Sequence, residues 1–187
     1  MYFSKFKSLW VALGLFALVG CKDIADDLNP SATDQRDQTQ VNAQGETEQS
    51  GTNLNLTLYD TSGNAVQLSD LVAQHPATVF YFTMWCPICA SHQDHLSNHT
   101  KAMYPTAGYY LIDYVSGSSA ATARELVESG FASSGLTALA DVNQAAVGEF
   151  NGTMGITLVF DQAGVLHLNE DFKDGTRTEA ALANILN

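Results

Sequence analysis

The amino-acid sequence predicts an α/β fold in which helices flank a mixed central sheet and an additional β-hairpin precedes the main body. Three observations carry this expectation. Residues 77–84 (ATVFYFTM) and 108–115 (GYYLIDYV) are compact β-branched and aromatic runs of the kind that form strands buried on both faces. Each is followed by a segment with helical patterning. Near the C-terminus, two further apolar runs flank the turn Asp161-Gln162-Ala163-Gly164.

Taken in order, the fold is expected to begin near Asn53. Leu54, Leu56 and Leu58 alternate with polar residues, Asp60-Thr61-Ser62-Gly63-Asn64 supplies turn chemistry, and Val66 and Leu68 resume the alternation. Ser69 is placed to N-cap a short helix running to His75, where Pro76 stops it. The strand 77–84 then leads into a helix over residues 86–103, ended by Pro105. After the strand 108–115 come helices over 120–129 and 142–150, strands over 156–161 and 165–168, and an amphipathic closing helix over 178–186. Strands alternating with helices, ending in a hairpin and a helix, give a sheet covered on both faces.

The first 52 residues are read differently. Lys5 and Lys7 precede an apolar run over residues 9–19 that is too short to cross a bilayer and has the character of a signal-peptide core. It ends in Leu18-Val19-Gly20-Cys21, which resembles the lipobox of bacterial lipoproteins. That resemblance implies cleavage of residues 1–20 and lipidation of Cys21, hence a membrane-anchored, periplasm-facing protein. Lys22 after the lipidated cysteine points toward the outer membrane. Residues 21–52, rich in Gln, Asp, Thr, Ser and Asn, lack the apolar surface needed to offset ordering entropy and are expected to be a tether. The folded domain is assigned to residues 53–187.

The chain carries 8 Lys and Arg against 20 Asp and Glu, a net charge of −12. Loss of residues 1–20 would remove two lysines and bring it to −14. Such a surface repels nucleic acid and anionic headgroups, so membrane attachment would come from the lipid alone. Of the 3 cysteines, Cys21 would be committed to lipid. Cys86 and Cys89 remain as a pair in an oxidising setting. A disulfide closing two intervening residues restrains the unfolded chain very little, so a pair at this spacing is better suited to reaction than to stabilisation.

Trp85-Cys86-Pro87-Ile88-Cys89 sits where a buried strand hands over to a helix. Backbone N–H groups and the positive dipole at the helix start are expected to stabilise a thiolate at Cys86. Pro87 is tolerated in the first turn, where its missing N–H is no loss. Cys89, one turn in, is expected to be shielded and to attack a mixed disulfide formed at Cys86.

From Leu54 to Leu186 the chain resembles periplasmic thioredoxin-like oxidoreductases of the TlpA/ResA type. The residues concerned are Asp60-x-x-Gly63, Gln67-Leu68-Ser69-Asp70-Leu71, the Trp85–Cys89 motif, and Leu158-Val159-Phe160-Asp161-x-x-Gly164. The resemblance implies a thioredoxin fold, with Cys86 as nucleophile and Cys89 as resolving thiol. It also implies protein thiols and disulfides as substrates, together with a redox partner that the sequence does not identify.

Three positions depart from that family. Its cis-proline, facing the cysteines before the Leu-Val-Phe-Asp strand, is replaced by Gly155 behind Met154, so the substrate loop differs. The family's glutamate three residues after the second cysteine is His92, which becomes the candidate proton acceptor. His92, His95 and His99 recur on one expected helical face.

No cofactor is assigned. Copper on Cys86, Cys89, Met154 and His92 is the alternative, since two thiols and a thioether suit Cu(I). A thioredoxin-like interaction module without turnover is the third reading. Thr83-x-x-Cys86 is similar to the peroxiredoxin Thr-x-x-Cys. That motif's cooperating arginine is not evident, because only Arg124 and Arg177 follow, and Thr83 is read as the end of a strand.

Overall fold

The computed structural model describes residues 52–187. The signal segment, Cys21 and all but the last residue of the expected tether lie outside the described residues. No helix among the described residues is long and apolar enough to cross a membrane.

The domain opens with a hairpin, β1 (Thr57–Asp60) and β2 (Ala65–Gln67). Its turn is held by Asp60, whose Oδ1 accepts from the N–H groups of Ser62 and Asn64 at 2.8 Å each. Helix α1 (Leu68–Ala73) follows directly and begins one residue before the expected cap. Gln67 occupies the cap position without a side-chain hydrogen bond, and the Ser69 N–H instead donates to the Leu54 carbonyl at 3.1 Å. The chain then forms β3 (Ala77–Thr83), α2 (Pro87–His95), a π-helical turn over Leu96–Thr100, α3 (Lys101–Met103) and β4 (Gly108–Asp113). After these come α4 (Ser119–Glu128), β5 (Thr137–Ala140), α5 (Ala145–Phe150), β6 (Ile156–Asp161), β7 (Leu166–Asp171) and α6 (Thr176–Leu186).

The seven strands make one mixed sheet in the order β2-β1-β5-β4-β3-β6-β7. β3 pairs parallel with β4 and β4 with β5, while β6 runs antiparallel to β3 and β7 to β6. The N-terminal hairpin extends this same sheet, with Tyr59 opposite Ala140. Strand β5 is absent from the sequence expectation. Its Thr-Ala-Leu-Ala is too short and too poor in β-branched residues to declare itself, and only pairing with β1 and β4 makes it a strand.

Central placement explains why all seven residues of β3 are buried. Successive side chains of a strand point to opposite faces. Phe80 and Phe82 enter one core, with Leu58, Ile112, Phe150, Leu158 and Phe160. Val79 and Tyr81 enter the other, with Cys89, Leu96, Leu111, Val159 and Leu182. Full burial of Phe80 and Phe82 contributes about 1.5–3 kcal/mol each. Tyr81 thus shares a core with the second cysteine, a consequence of its odd position on β3.

The helix expected over 86–103 is broken. After His95 the π-helical turn widens the repeat before helix α3 resumes, and helix insertions of this kind are frequent at functional sites.

Candidate functional site

The end of β3 and the start of α2 build the site. The chain turns sharply at Trp85, whose φ of +58° is strained for a bulky residue. Its N–H is held by Thr83 Oγ1 at 3.1 Å. Cys86 then N-caps α2, accepting from the Cys89 N–H at 3.2 Å, and Pro87 occupies the first helical position. The expectation of a cysteine at a helix N-terminus therefore holds in geometry. Cys86 is half-buried and Cys89 is buried, and both are free thiols. Exposed Met84 and Ile88 flank the reachable sulfur.

The two sulfurs lie 2.7 Å apart, and either thiol can donate to the other. Burial acts first on Cys86 and pushes its thiol up, and its hydrogen bond to Cys89 adds to this. Burial opposes ionisation of Cys89 as well. There it is outweighed by the Cys86 thiol, by the N–H groups of Met84 and Cys86, and by the Thr83 hydroxyl, so the Cys89 thiol sits below its ordinary value. Two thiols this close titrate as a pair, and the charge of the singly ionised form is distributed over both sulfurs.

Thr83 does more than finish its strand. Its Oγ1 accepts from the Gln93 side chain at 2.6 Å and from the Trp85 N–H, which leaves its own proton free for Cys89. Gln93 is fully buried on the inner side of α2, and its Oε1 has no partner among the described residues. Neither role was visible in the sequence. A glutamine in a helix and a threonine at a strand end are ordinary until the fold sets them 2.6 Å apart.

His92 does not touch Cys89 directly. Its Nδ1 lies 3.0 Å from the Tyr81 hydroxyl, and Tyr81 shares its core with Cys89. In the sequence Tyr81 is only one aromatic residue of the apolar run 77–84. Burial pushes its hydroxyl far above the ordinary value, with the charge on Cys89 adding to the effect, so it can pass a proton without resting as phenolate. His92 packs against Phe172, with ring centroids 4.7 Å apart. Burial lowers its pKa, partly offset by Asp171, and it is a neutral acceptor near pH 7.

The substrate loop is pinned to the sheet. Gly155 has a φ of +89°, its N–H donates to the Phe82 carbonyl at 3.1 Å, and its carbonyl accepts from the Phe172 N–H at 2.8 Å. These bonds hold Met154 Sδ 3.3 Å from Cys86 Sγ. The thioether thereby lies against the Cys86 sulfur, one residue before the glycine aligned with the proline of the resembled family. Cys86, Cys89 and Met154 form a converging sulfur set suited to a soft ion such as Cu(I). His92, turned onto Tyr81, stands outside that set.

The three histidines do not act as one face. His92 belongs to the cysteine site, whereas His95 and His99 converge on Glu179 of α6, which lies 84 residues beyond His95.

No protein-family model matches the chain, and no curated protein matches it in sequence. Solved structures do. A thioredoxin-like protein from Aeropyrum pernix is similar at a TM-score of 0.57 and 13% identity, over 71% of this chain and 90% of that one. A secreted Mycobacterium tuberculosis disulfide oxidoreductase homologous to E. coli DsbE gives a TM-score of 0.54 at 18% identity, over 70% and 96%. Xanthomonas campestris peroxiredoxin Q gives 0.54 at 16%, over 73% and 92%. At these identities the likeness establishes the fold, and the chain has the thioredoxin fold the sequence anticipated.

Proposed function

We propose that the protein is a thiol–disulfide oxidoreductase acting through Cys86 and Cys89 on extracytoplasmic protein substrates, held at the membrane by lipid on Cys21. The observation that carries this reading is the pairing of a reachable sulfur at a helix N-terminus with a buried, proton-managed sulfur 2.7 Å away. The secreted and thioredoxin-like neighbours support it, as does the lipobox-like Leu18–Cys21.

In the reductive direction the Cys86 thiolate attacks one sulfur of a substrate disulfide. The substrate S–S bond breaks, a Cys86–substrate disulfide forms, and the other substrate sulfur departs and takes up a proton. Cys89 then attacks Cys86 Sγ, forming the Cys86–Cys89 disulfide and releasing the second substrate thiol. The site, entering as the singly ionised pair, gives up two electrons and one proton, and solvent supplies the proton taken up by the first departing sulfur. At that second step Cys86 is held in the mixed disulfide, and Cys89 gives its proton by way of the Tyr81 hydroxyl to His92 Nδ1. Met84 and Ile88, 44% and 57% exposed, offer an apolar rim for the chain around the target bond.

The peroxidase reading is weakened by Thr83, whose hydroxyl serves Cys89 rather than Cys86, and by Arg177, which is tied to Glu170 at 2.6 Å. A Cu(I) site on Cys86, Cys89 and Met154 is the second reading, favoured by the 3.3 Å approach of the thioether. A Cys89→Ala variant incubated with an extract of exported proteins decides between them. Exchange chemistry traps clients on Cys86 as reducible adducts, absent from Cys86→Ser. Tight stoichiometric Cu(I) uptake lost in Met154→Ala, with no trapped clients, would favour the copper protein instead.

A further inference from the structure

We propose that His95, His99 and Glu179 form a second centre, a divalent-cation site of the zinc class, separate from the cysteine pair and independent of the function assigned to it. His95 is the last residue of α2, His99 lies in the π-helical turn, and Glu179 comes from the first turns of α6. Donor atoms from the three residues all lie within 4.8 Å of one another. His95 Nε2 is 2.9 Å and His99 Nε2 3.6 Å from the same oxygen, Glu179 Oε1.

Those separations bracket the ligand spacing of a tetrahedral zinc centre, about 3.3 Å for bonds of about 2.0–2.1 Å. A hydrogen-bonded clamp between α2 and α6 is fully made by His95 alone. His99, 57% exposed, stands beyond hydrogen-bond distance yet turns its Nε2 to the same oxygen, with its ring centroid 4.7 Å from that of His95. Two imidazole nitrogens and one carboxylate oxygen suit Zn(II), and such three-ligand sets leave a position open to solvent.

The carboxylate is positioned from behind. Buried Thr100 donates its hydroxyl to Glu179 Oε1 at 3.1 Å, and its own carbonyl accepts from the Tyr109 hydroxyl at 3.3 Å. Outer-shell bonds of this kind fix a ligand's direction. No lysine or arginine among the described residues pairs with Glu179, and Asp174 adds negative charge near His95. The local field thus favours a cation. Binding would replace the His95–Glu179 hydrogen bond by two metal bonds, displacing the proton on Nε2.

The test is cobalt titration of the full chain carrying Cys21→Ser, Cys86→Ser and Cys89→Ser, so that no thiol can compete. The expected result is one equivalent of Co(II) with visible d–d bands and no sulfur charge-transfer band, displaced by Zn(II). Loss of a ligand in His99→Ala, or its neutralisation in Glu179→Gln, should weaken binding at least about tenfold, the scale on which even outer-shell changes act. Zn(II) should also raise the melting temperature of the parent but not of His99→Ala, whose metal-free melting should match the parent because His99 is largely exposed. The proposal is overturned if excess Co(II) gives no such bands, or if affinity is unchanged in both variants. It is also overturned if only Cu(II) is retained while Zn(II) fails to compete.

Discussion

Replacing Tyr81 by phenylalanine isolates the proton path from everything else the residue does. The ring stays. Its edge-on contacts with His92 and Phe172, both at centroid distances of 5.9 Å, are kept, and so is its place in the core. Only the hydroxyl that bonds His92 Nδ1 beside Cys89 is lost. One hydrogen bond of this kind is worth about 1 kcal/mol of net stability, so the variant should fold. Its effect on chemistry should be larger. Without the hydroxyl, neither Cys89 nor His92 has a route for the proton, and general-base assistance at the low end of its range, about 10²-fold, is removed from the resolving step. The assay uses an aromatic disulfide whose thiolate product is coloured. Attack by Cys86 releases one equivalent, and resolution by Cys89 releases a second. Tyr81→Phe should leave the first release nearly unchanged and slow the second. His92→Ala should slow the same phase, and the double variant should be no slower than the worse single one, since both remove one path. Equal second-phase rates in parent and Tyr81→Phe would refute the relay, and additive losses would show two separate routes.

Two further predictions follow from the same geometry. His92 has a lowered pKa when folded, so between that value and 6.5 the unfolded chain binds the extra proton. Stability should therefore fall as pH drops below about 6.5, and His92→Gln should flatten that slope in urea titrations; an unchanged slope would remove His92 as its source. At Gly155, a φ of +89° with the nearest neighbour of an added Cβ, Asp171 Oδ1, at 3.8 Å means that backbone strain alone opposes a side chain. Gly155→Ala should lose about 1–2 kcal/mol. Gly155→Pro should lose more, because it also removes the N–H bonded to Phe82, and a proline variant as stable as the parent would show that the loop can rearrange.

Local chemistry made much of this molecule legible from its residues alone. The runs at 77–84 and 108–115 announce buried strands because a strand apolar on both faces has no other place to be. Trp85–Cys89 announces reactive thiols because its spacing suits exchange and its position is a helix start. Asp60–Asn64 and Asp161–Gly164 announce their hairpins through turn chemistry. In each case the determining interactions lie within a few residues, and the side-chain pattern records them. The tertiary structure decided where distant side chains meet. It put β5 between β1 and β4, turned Tyr81 toward Cys89 and His92, and set Gln93 against Thr83. It also divided the histidines, sending His92 to the thiols and His95 and His99 to Glu179, whose helix lies at the far end of the chain. Such convergence depends on register across the sheet and on the widened turn after His95. Neither leaves a periodic trace in the sequence, since each follows from packing between segments that are remote along the chain.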